Sequence, residues 1–198
     1  PGQEQLGIML PYTPLHYLLF ADPPNTHARP LVMTDANLAG EPICTDNVEA
    51  RQHLSRLADA FLMHDRDIHI RADDSVMRIL PDLGVYPIRR SRGYVPMPIR
   101  LPWRSAPVLA VGAQWSNTFC LTDGVSAYPS QHIGDLENSE TLQSFVRSIA
   151  HFEKLLGRQP AALACDLHPD YLSSRYARER AERESLALVP VQHQHAHL

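Results

Sequence analysis

Short apolar runs separated by polar turns dominate the first half of the chain and predict strands mixed with short helices. The runs lie at residues 6–12, 30–34, 68–72, 75–80 and 85–90. Thr13 followed by Pro14 predicts the N-cap and first position of a helix through LHYLLF. Asp46 and Glu49 have the spacing of a capping box in front of a second, amphipathic helix. Strands mixed with helices indicate an α/β fold in this half.

The second half has longer and more regular patterns. Apolar residues predict three consecutive strands at 107–113, 118–123 and 125–130, with Asp123-Gly124 as a tight hairpin turn. A strong helix follows, with one apolar face and a stop at Gly157. That face comprises Leu142, Phe145, Val146, Ile149, Phe152 and Leu156.

A strand at 161–166, a helix capped by Asp170 and reaching about Glu184, and a strand at 185–191 complete the second half. The order β-β-β-α-β-α-β is that of a ribonuclease-H-like layer fold, the half-unit of the actin and hexokinase class. We therefore expect α/β architecture throughout.

The proline content predicts where the two halves meet, and the charge, hydropathy and cysteine content limit the classes of function. Proline accounts for 17 of 198 residues, and its clustering between Pro87 and Pro107 predicts a linker near residue 100, because proline removes a backbone donor. The net charge of −4 and the mixed charges give no indication of nucleic acid, and no apolar run is long enough for a membrane span. Three separated cysteines favour a reducing cytoplasm over a disulfide framework.

Three polar turns in the first half are candidate ligand sites. The segment MTDANLAGEPI (33–43) places Thr34 and Asn37 after a predicted strand, where α/β sheets bind ligands, although Asx-turn chemistry alone would also explain it. In RADDSV (71–76), Asp74 and Ser75 could hold Mg²⁺ or a phosphate, or form only a solvated turn. The arginines of PIRRSRG (87–93), among them Arg90, could clamp a phosphate or form a basic linker edge.

In the second half, polar residues at strand ends are candidates for catalysis. The segment VGAQWSNTFCLTDG (111–124) has the polar bend of a phosphate-facing hairpin. SQHIGDLE (130–137) and CDLHPDYLSSRYA (165–177) each place His and Asp after a predicted strand, so Asp135 and His168 are the catalytic candidates. A single such histidine is more often a satisfied loop residue.

The chain ends on VQHQHAHL, with histidines at 193, 195 and 197. On a helix, His193 and His197 would share a face and could chelate one metal ion, whereas on a strand all three would share a face. The alternative is a disordered or tag-like tail. Zn²⁺ or Fe²⁺ would need at least one further ligand, usually a carboxylate.

These motifs, in this order, resemble one family, the HypF carbamoyltransferases of hydrogenase maturation. The resemblance covers nearly the whole chain, and SQHIGDLEN with DLHPDYLS is highly specific. The matching stretches are LGIMLPYTPLHYLLF, PLVMTDANLAGEPI, DAFLMHDRDIHIRADDSVMR, PIRRSRGYVPMPI, NTFCLTDG, SQHIGDLENSETLQSF, ACDLHPDYLSSRYA and VQHQHAHL.

The resemblance implies two partial domains. Residues 1–95 resemble the C-terminal part of a YrdC-like twisted-sheet domain. Residues 96–106 would be the proline-rich linker, and residues 107–198 resemble the N-terminal part of an ASKHA-type carbamoyltransferase domain similar to the tRNA threonylcarbamoyltransferases. Because the flanking parts of such proteins are missing, and the chain starts without Met, we expect a fragment that is inactive alone.

The resemblance also implies a reaction and a set of site residues. Carbamoyl phosphate and ATP with Mg²⁺ would give a carbamoyl-adenylate, and the carbamoyl group would pass to the C-terminal Cys of HypE. Thr34, Asn37, Ser75 and Arg90 match positions of the adenylate pocket, with Asp74 as a further candidate. His193 and His197 match the H-x-x-x-H pair that binds Fe²⁺ or Zn²⁺.

Two departures from the family pattern concern anion binding. Asp35 stands where the family usually has Ser, and its carboxylate would repel a triphosphate unless a cation balances it. Gln114-Trp115 replaces a charged pair in the second-half hairpin. Two other functions remain open: a stand-alone metal-binding or scaffolding protein, and a threonylcarbamoyl-transferring relative acting on tRNA, against which the neutral-to-acidic composition argues.

Overall fold

The computed structural model of the chain describes residues 7–21, 30–38 and 40–197. Contacts divide the chain into two compact units, Pro1–Asp35 and Ala36–Leu198. No helix among the described residues is long and apolar enough to cross a membrane. The predicted domains 1–95 and 107–198 stay a prediction.

The first unit contains helix α1 (Pro14–Phe20) among its described residues. The hydroxyl of Thr13 accepts a hydrogen bond from the backbone N–H of His16 at 3.3 Å, and Pro14 opens the helix, as predicted. The strands predicted at 6–12 and 30–34 were wrong, since the described residues of both segments are irregular. A strand needs a hydrogen-bonded neighbour, and an apolar run does not supply one.

The second unit holds four helices and seven strands within the described residues. Its helices are α2 (Asn47–Leu54), α3 (Ser139–Leu156), α4 (Leu172–Glu184) and α5 (His193–Ala196). Its strands are β1 (Val76–Leu80), β2 (Gly84–Arg89), β3 (Ile99–Ser105), β4 (Val108–Ala110), β5 (Cys120–Pro129), β6 (Ala162–Asp166) and β7 (Ala187–Val191). The expectation of a mixed α/β fold is confirmed.

Strands β1 and β2 form a separate antiparallel hairpin, close to the strands predicted at 75–80 and 85–90. The strand predicted at 68–72 is absent, because these residues are irregular. Helix α2 starts as predicted at Asp46, whose carboxylate accepts hydrogen bonds from the backbone N–H groups of Val48 and Glu49. It ends at Leu54, although the apolar residues Leu57, Ala58 and Phe61 predicted that the helix would continue.

The main sheet has the order β3-β5-β4-β6-β7, with β3, β5 and β4 antiparallel and β4, β6 and β7 parallel. The hairpin predicted at Asp123-Gly124 was wrong, because β5 runs through both residues as one strand. Gly124 has φ +62°, and the pairing with β3 changes register beside it. The Asp-Gly pair therefore forms an irregularity within a strand and not a turn.

The third antiparallel strand comes from the segment predicted as the linker. Strand β3 contains Pro102 and lies at the edge of the sheet, the position in which proline is tolerated. The predicted linker 96–106 therefore contributes to the sheet.

The core of the second unit lies where α3 and α4 cover this sheet. Asn138 caps the start of α3, and Gly157, in the left-handed region, ends it as predicted. The core residues are Leu109, Val111, Phe119, Leu121, Leu136, Phe145, Ile149, Phe152, Leu163, Cys165, Ala177 and Ala181. Most of the predicted α3 face is thus confirmed, although Val146 is exposed.

The cap predicted for α4 was wrong. Tyr171, not Asp170, is the N-cap residue, and it makes no side-chain cap hydrogen bond. Instead, the side-chain oxygen of Gln114 accepts a hydrogen bond from the backbone N–H of Leu172 at 2.7 Å. A residue from the β4–β5 connection therefore satisfies one of the free donors at this helix end.

Candidate functional site

Two parallel strand ends bring the terminal histidines beside a carboxylate. In the pairing of β6 with β7, Asp166 lies opposite Val191, so the carboxyl ends of both strands coincide. Helix α5 starts at His193, and the Gln192 side chain caps it by accepting a hydrogen bond from the backbone N–H of His195. The site thus occupies the edge of an α/β sheet at which ligands usually bind.

The His193 and His197 side chains converge on each other. Their Nε2 atoms are 3.3 Å apart, and both residues are exposed to solvent. Two nitrogens bound to one tetrahedral Zn²⁺, each at about 2.05 Å, lie about 3.3 Å apart. The helical spacing assumed for this pair is thus the one in the structure, and the pair has the separation of two ligands of one cation.

Asp166 holds the ring of His193 from the other side. Its Oδ2 lies 2.7 Å from Nδ1 of His193. If Nδ1 carries the proton and donates it to Asp166, the lone pair of Nε2 is free for a metal ion. A carboxylate behind a histidine ligand in this way fixes the ring orientation and raises its basicity.

Asp166 remains ionised although it is largely buried. Burial opposes ionisation, but hydrogen bonds from the backbone N–H of His168 and from His193 outweigh it and hold the pKa of Asp166 below its usual range. The Asp166 carboxylate is therefore negatively charged at neutral pH, and this charge favours a cation or a protonated imidazole beside it.

The metal-ligand set is not complete within the described part of the chain. Among residues 7–21, 30–38 and 40–197, no third His, Cys, Asp or Glu donor groups with the two Nε2 atoms. Two imidazole nitrogens and one orienting carboxylate are therefore the groups that these residues could offer to a cation.

The two catalytic candidates, His168 and Asp135, each accept a hydrogen bond from a different backbone N–H group. Nδ1 of His168 accepts a hydrogen bond from the backbone N–H of Asp170, and its ring stacks on Tyr171 at 4.1 Å. Asp135 accepts a hydrogen bond from the backbone N–H of Ser116 at 2.7 Å. No hydrogen bond joins the side chains of Asp135 and His168 among the described residues, and a catalytic role for either stays a prediction.

The β4–β5 connection is a tightly built turn. The buried Asn117 amide donates to the carbonyl oxygens of Val111 and Ala113. Gly112 adopts φ +71°, and a Cβ there would collide with the carbonyl oxygen of Thr118. Gln114 caps α4 from this turn.

The nucleotide candidates of the second unit fall into two places. Ser75 links two segments, because its hydroxyl donates to the carbonyl oxygen of Arg92 and accepts from the backbone N–H of Ser91. Asp74 lies 3.7 Å from the Arg92 guanidinium, so Asp74, Ser75 and Arg90 belong to neighbouring segments. Asn37 lies in a separate turn, where its amide donates to the carbonyl oxygen of Glu41 at 2.7 Å.

Thr34 belongs to the first unit, where it is exposed in an irregular segment. Its place in an adenylate pocket stays a prediction.

Arg90 has unused hydrogen-bonding capacity. One terminal nitrogen donates to the carbonyl oxygens of Tyr94 and Met97. The other, NH1, is buried and lacks a hydrogen-bond partner within the described residues. A buried guanidinium donor without a partner is costly, and an anionic oxygen is the partner that a guanidinium prefers.

Asp166 was missed by our reasoning from the sequence. The signal was present, because a strand-final aspartate on a strand parallel to the one before the histidines shares their sheet edge. Which strands are neighbours is not visible in the local pattern, so Asp166 was not selected.

Comparisons with known proteins match both halves of the chain. The profile of the family described as "HypF Kae1-like domain" matches residues 104–198. The Sua5/YciO/YrdC profile, described as "Telomere recombination", matches residues 1–91.

Individual relatives and solved structures agree with these matches. The chain is 47% identical over 210 aligned residues to "Carbamoyltransferase HypF2" of Cupriavidus necator, covering 100% of this chain and 26% of that protein. A crystal structure of full-length HypF in the phosphate- and nucleotide-bound form matches with a TM-score of 0.84 at 44% identity, covering 97% of this chain and 29% of that one.

The structure of T. kodakarensis HypF matches with a TM-score of 0.87 at 42% identity, covering 100% of this chain and 26% of that one. The chain spans about a quarter of the length of the relatives it matches.

Proposed function

The chain belongs to the HypF family of carbamoyltransferases, and we propose that it carries part of the carbamoyl-transfer machinery of [NiFe]-hydrogenase maturation. The proposed reaction uses carbamoyl phosphate and ATP with Mg²⁺ to form a carbamoyl-adenylate. The carbamoyl group then passes to the C-terminal Cys thiol of a HypE-type acceptor protein, and the proposed location is the cytoplasm. Identity above 40% to named carbamoyltransferases over the whole chain supports the transferase class.

The observation that carries the proposal is the convergence of His193 and His197. Their Nε2 atoms are 3.3 Å apart, and Asp166 orients His193. These residues fit Fe²⁺ or Zn²⁺, which would supply Lewis-acid polarisation of a bound oxygen. The residues of this chain hold and orient the two imidazoles, and the remaining ligands would come from elsewhere in a full-length protein.

The second component of the proposal is the nucleotide pocket. Arg90, with its buried NH1 atom, would bind a phosphate oxygen, and Ser75 would keep the two segments around it in place. Asp74 would face the magnesium ion that accompanies ATP, and Asn37 would be a further contact of the nucleotide. The nucleotide-bound state of a similar full-length structure supports a nucleotide here.

The test is carbamoyl-phosphate-dependent exchange between ATP and pyrophosphate, measured in a full-length HypF whose matching quarter is replaced by this chain. We expect exchange in the chimera, and its loss in Arg90→Ala. Arg104→Ala removes a guanidinium from the edge strand β3 and is the matched control. Absence of exchange from a folded chimera would overturn the proposal.

The histidine pair by itself would also fit a stand-alone metal-binding protein. Assays of metal binding, exchange and carbamoyl transfer distinguish that function from the transferase. In the chimera, His193→Ala/His197→Ala should lower transfer to the HypE cysteine while leaving exchange intact, because adenylation uses other residues. His195→Ala, in the same short helix, is the control. Metal binding at the pair without any nucleotide-dependent chemistry would favour the stand-alone function.

A further inference from the structure

A second group of metal-ligating side chains lies in the second unit, around helix α2. The Sγ atom of Cys44, a carboxylate oxygen of Glu49 and a ring nitrogen of His53 lie within 4.8 Å of one another. Within residues 7–21, 30–38 and 40–197 it is the one group of three such donors. Neither the proposed carbamoyl transfer nor the histidine pair uses any of these residues.

Local structure explains why the three donors meet. Glu49 and His53 are four residues apart on α2, so their side chains share one face of the helix. The segment before the helix folds back on itself, since the backbone N–H of Cys44 donates to the carbonyl oxygen of Ala36 at 2.9 Å. Cys44 lies beside the first turn of α2 because it closely precedes the cap residue Asp46 in sequence.

The neighbouring charges orient the donors. Oε2 of Glu41 is 3.6 Å from Nδ1 of His53, so a second carboxylate lies beside this histidine. Arg71 is 3.3 Å from Glu49 and also donates to the carbonyl oxygen of Ile43, which holds the Glu49 carboxylate against the Cys44 segment. Cys44 and Glu49 are half-buried and His53 is at the surface. A cation could therefore enter from solvent.

A divalent cation bound by Cys44 would displace the proton of its thiol, because the thiolate is the metal ligand.

We propose that Cys44, Glu49 and His53 bind one divalent cation of the Zn²⁺ class, at a site separate from His193 and His197. Thiolate, imidazole and carboxylate together are ligands of Zn²⁺, whereas Mg²⁺ and Ca²⁺ prefer oxygen alone. Three protein ligands leave a fourth position for water. The bound cation ties residues 36–44, which carry Asn37, to helix α2.

The site is tested with Co²⁺ and Zn²⁺ alone, on the 198-residue chain carrying His193→Ala/His197→Ala, so that the terminal pair cannot contribute. Co²⁺ bound by a thiolate gives a near-ultraviolet charge-transfer band, which a site made only of imidazole and carboxylate lacks. We expect this band, and binding of one Zn²⁺ per chain by calorimetry, with proton release. Absence of either signal overturns the proposal.

Single substitutions identify the ligands. Cys44→Ser should abolish the charge-transfer band. His53→Gln should lower Zn²⁺ affinity about 100-fold or more, because residues that only hydrogen-bond to a metal ligand already contribute about 10–100-fold to affinity. Glu41→Gln, which removes only the partner of His53, should lower affinity about 10–100-fold. His53 is exposed, so its substitution leaves folding intact and keeps the test valid if Cys44→Ser is poorly folded.

Matched controls come from the same chain. Cys120→Ser replaces another half-buried cysteine, and His64→Ala another exposed histidine. Both variants should retain the charge-transfer band and the Zn²⁺ affinity. Equal losses in the control and ligand variants would show unspecific binding and would contradict the site.

Discussion

The second unit has two stretches, residues 36–98 and residues 99–197. They hold their candidate site residues in place by different interactions. Every member of the hydrophobic core cluster lies between Leu109 and Ala181. In the described residues from 36 to 98, only Leu54 and Ser91 are buried. The histidine pair therefore lies at the end of a sheet with a core beneath it. The nucleotide candidates lie on loops held by hydrogen bonds such as those of Ser75.

A site on strand ends therefore gains its geometry from the core, whereas a site on loops depends on local hydrogen bonds. In the second stretch, a buried ion pair adds to the rigidity, with Arg180 NH1 2.6 Å from Glu153 Oε1. In the first stretch, the Asp74–Arg92 pair is exposed and longer, at 3.7 Å. Stability should thus respond strongly to substitutions in 99–197 and weakly to those in 36–98.

The sharpest test of this contrast compares two apolar truncations. Phe145 is fully buried and packs against Phe119 and Tyr176, whereas Ile79 on β1 is 80% exposed. Phe145→Ala should lower the free energy of unfolding by about 3–5 kcal/mol, through lost burial and a cavity. Ile79→Ala should change it by less than about 0.5 kcal/mol. Urea denaturation measures both, and similar losses would contradict the contrast.

Two glycines with nearly the same positive φ give the next largest difference in stability. Gly84 has φ +70° and Gly112 has φ +71°. Gly84→Ala should lower the free energy of unfolding by about 1–2 kcal/mol. Only the left-handed backbone conformation contributes to this loss, because nothing lies near the added Cβ. Gly112→Ala should cost about 1–3 kcal/mol more, because the Cβ collides with the carbonyl oxygen of Thr118.

Thermal unfolding of both glycine variants measures the difference. Equal losses at positions 84 and 112 would show that the β4–β5 turn relaxes as easily as the β1–β2 hairpin.

A smaller, pH-dependent effect should distinguish Asp166. Its pKa is lowered in the folded state, so the stability it contributes is present above its unfolded pKa of about 3.9 and is lost as pH falls through the folded value. At pH 7, Asp166→Asn should lower the free energy of unfolding by about 1–2 kcal/mol, through weakened charged hydrogen bonds. Below about pH 4, the difference from the wild type should shrink.

The control is Asp82→Asn, at an exposed turn position between β1 and β2. Denaturation series at several pH values should show almost no difference between this variant and the wild type. A wild-type advantage over Asp166→Asn that stays constant down to pH 2 would contradict the role of the Asp166 charge.

The smallest effect is expected in the loop region. Asp74→Asn should change the free energy of unfolding by less than about 0.5 kcal/mol, because its ion pair with Arg92 is exposed to solvent. In the chimera, the same substitution should lower carbamoyl-phosphate-dependent exchange. A stability loss above about 1 kcal/mol would show that these loops are supported as firmly as the sheet.

Local patterns predicted the helices better than the strands. The Thr13 and Asp46 caps, the apolar face of α3 and the Gly157 stop all depend on residues within a few positions of one another. The strand at 125–130 was assigned to a hairpin, while the edge strand β3 was assigned to a linker. Strand pairing joins residues far apart in sequence, so neither the partner nor the edge position can be read from one segment.

The candidate metal site follows the same rule, because only its contacts between residues close in sequence were predictable. The i, i+4 spacing of His193 and His197 identified the pair, because both lie within one turn of helix. The contact of Asp166 with His193 spans 27 positions, and the cap of α4 by Gln114 spans 58.

The amino-acid sequence was enough to establish the family resemblance, the α/β class, the caps of α1 and α2 and the helical histidine pair, since periodicity and capping act over a few residues. The tertiary structure alone decided which strands are neighbours and which side chains share a sheet edge. It thereby placed Asp166 behind His193 and Gln114 at the start of α4. The physical reason is that these contacts form between strands and loops distant in sequence, through backbone pairing and burial that no local pattern contains.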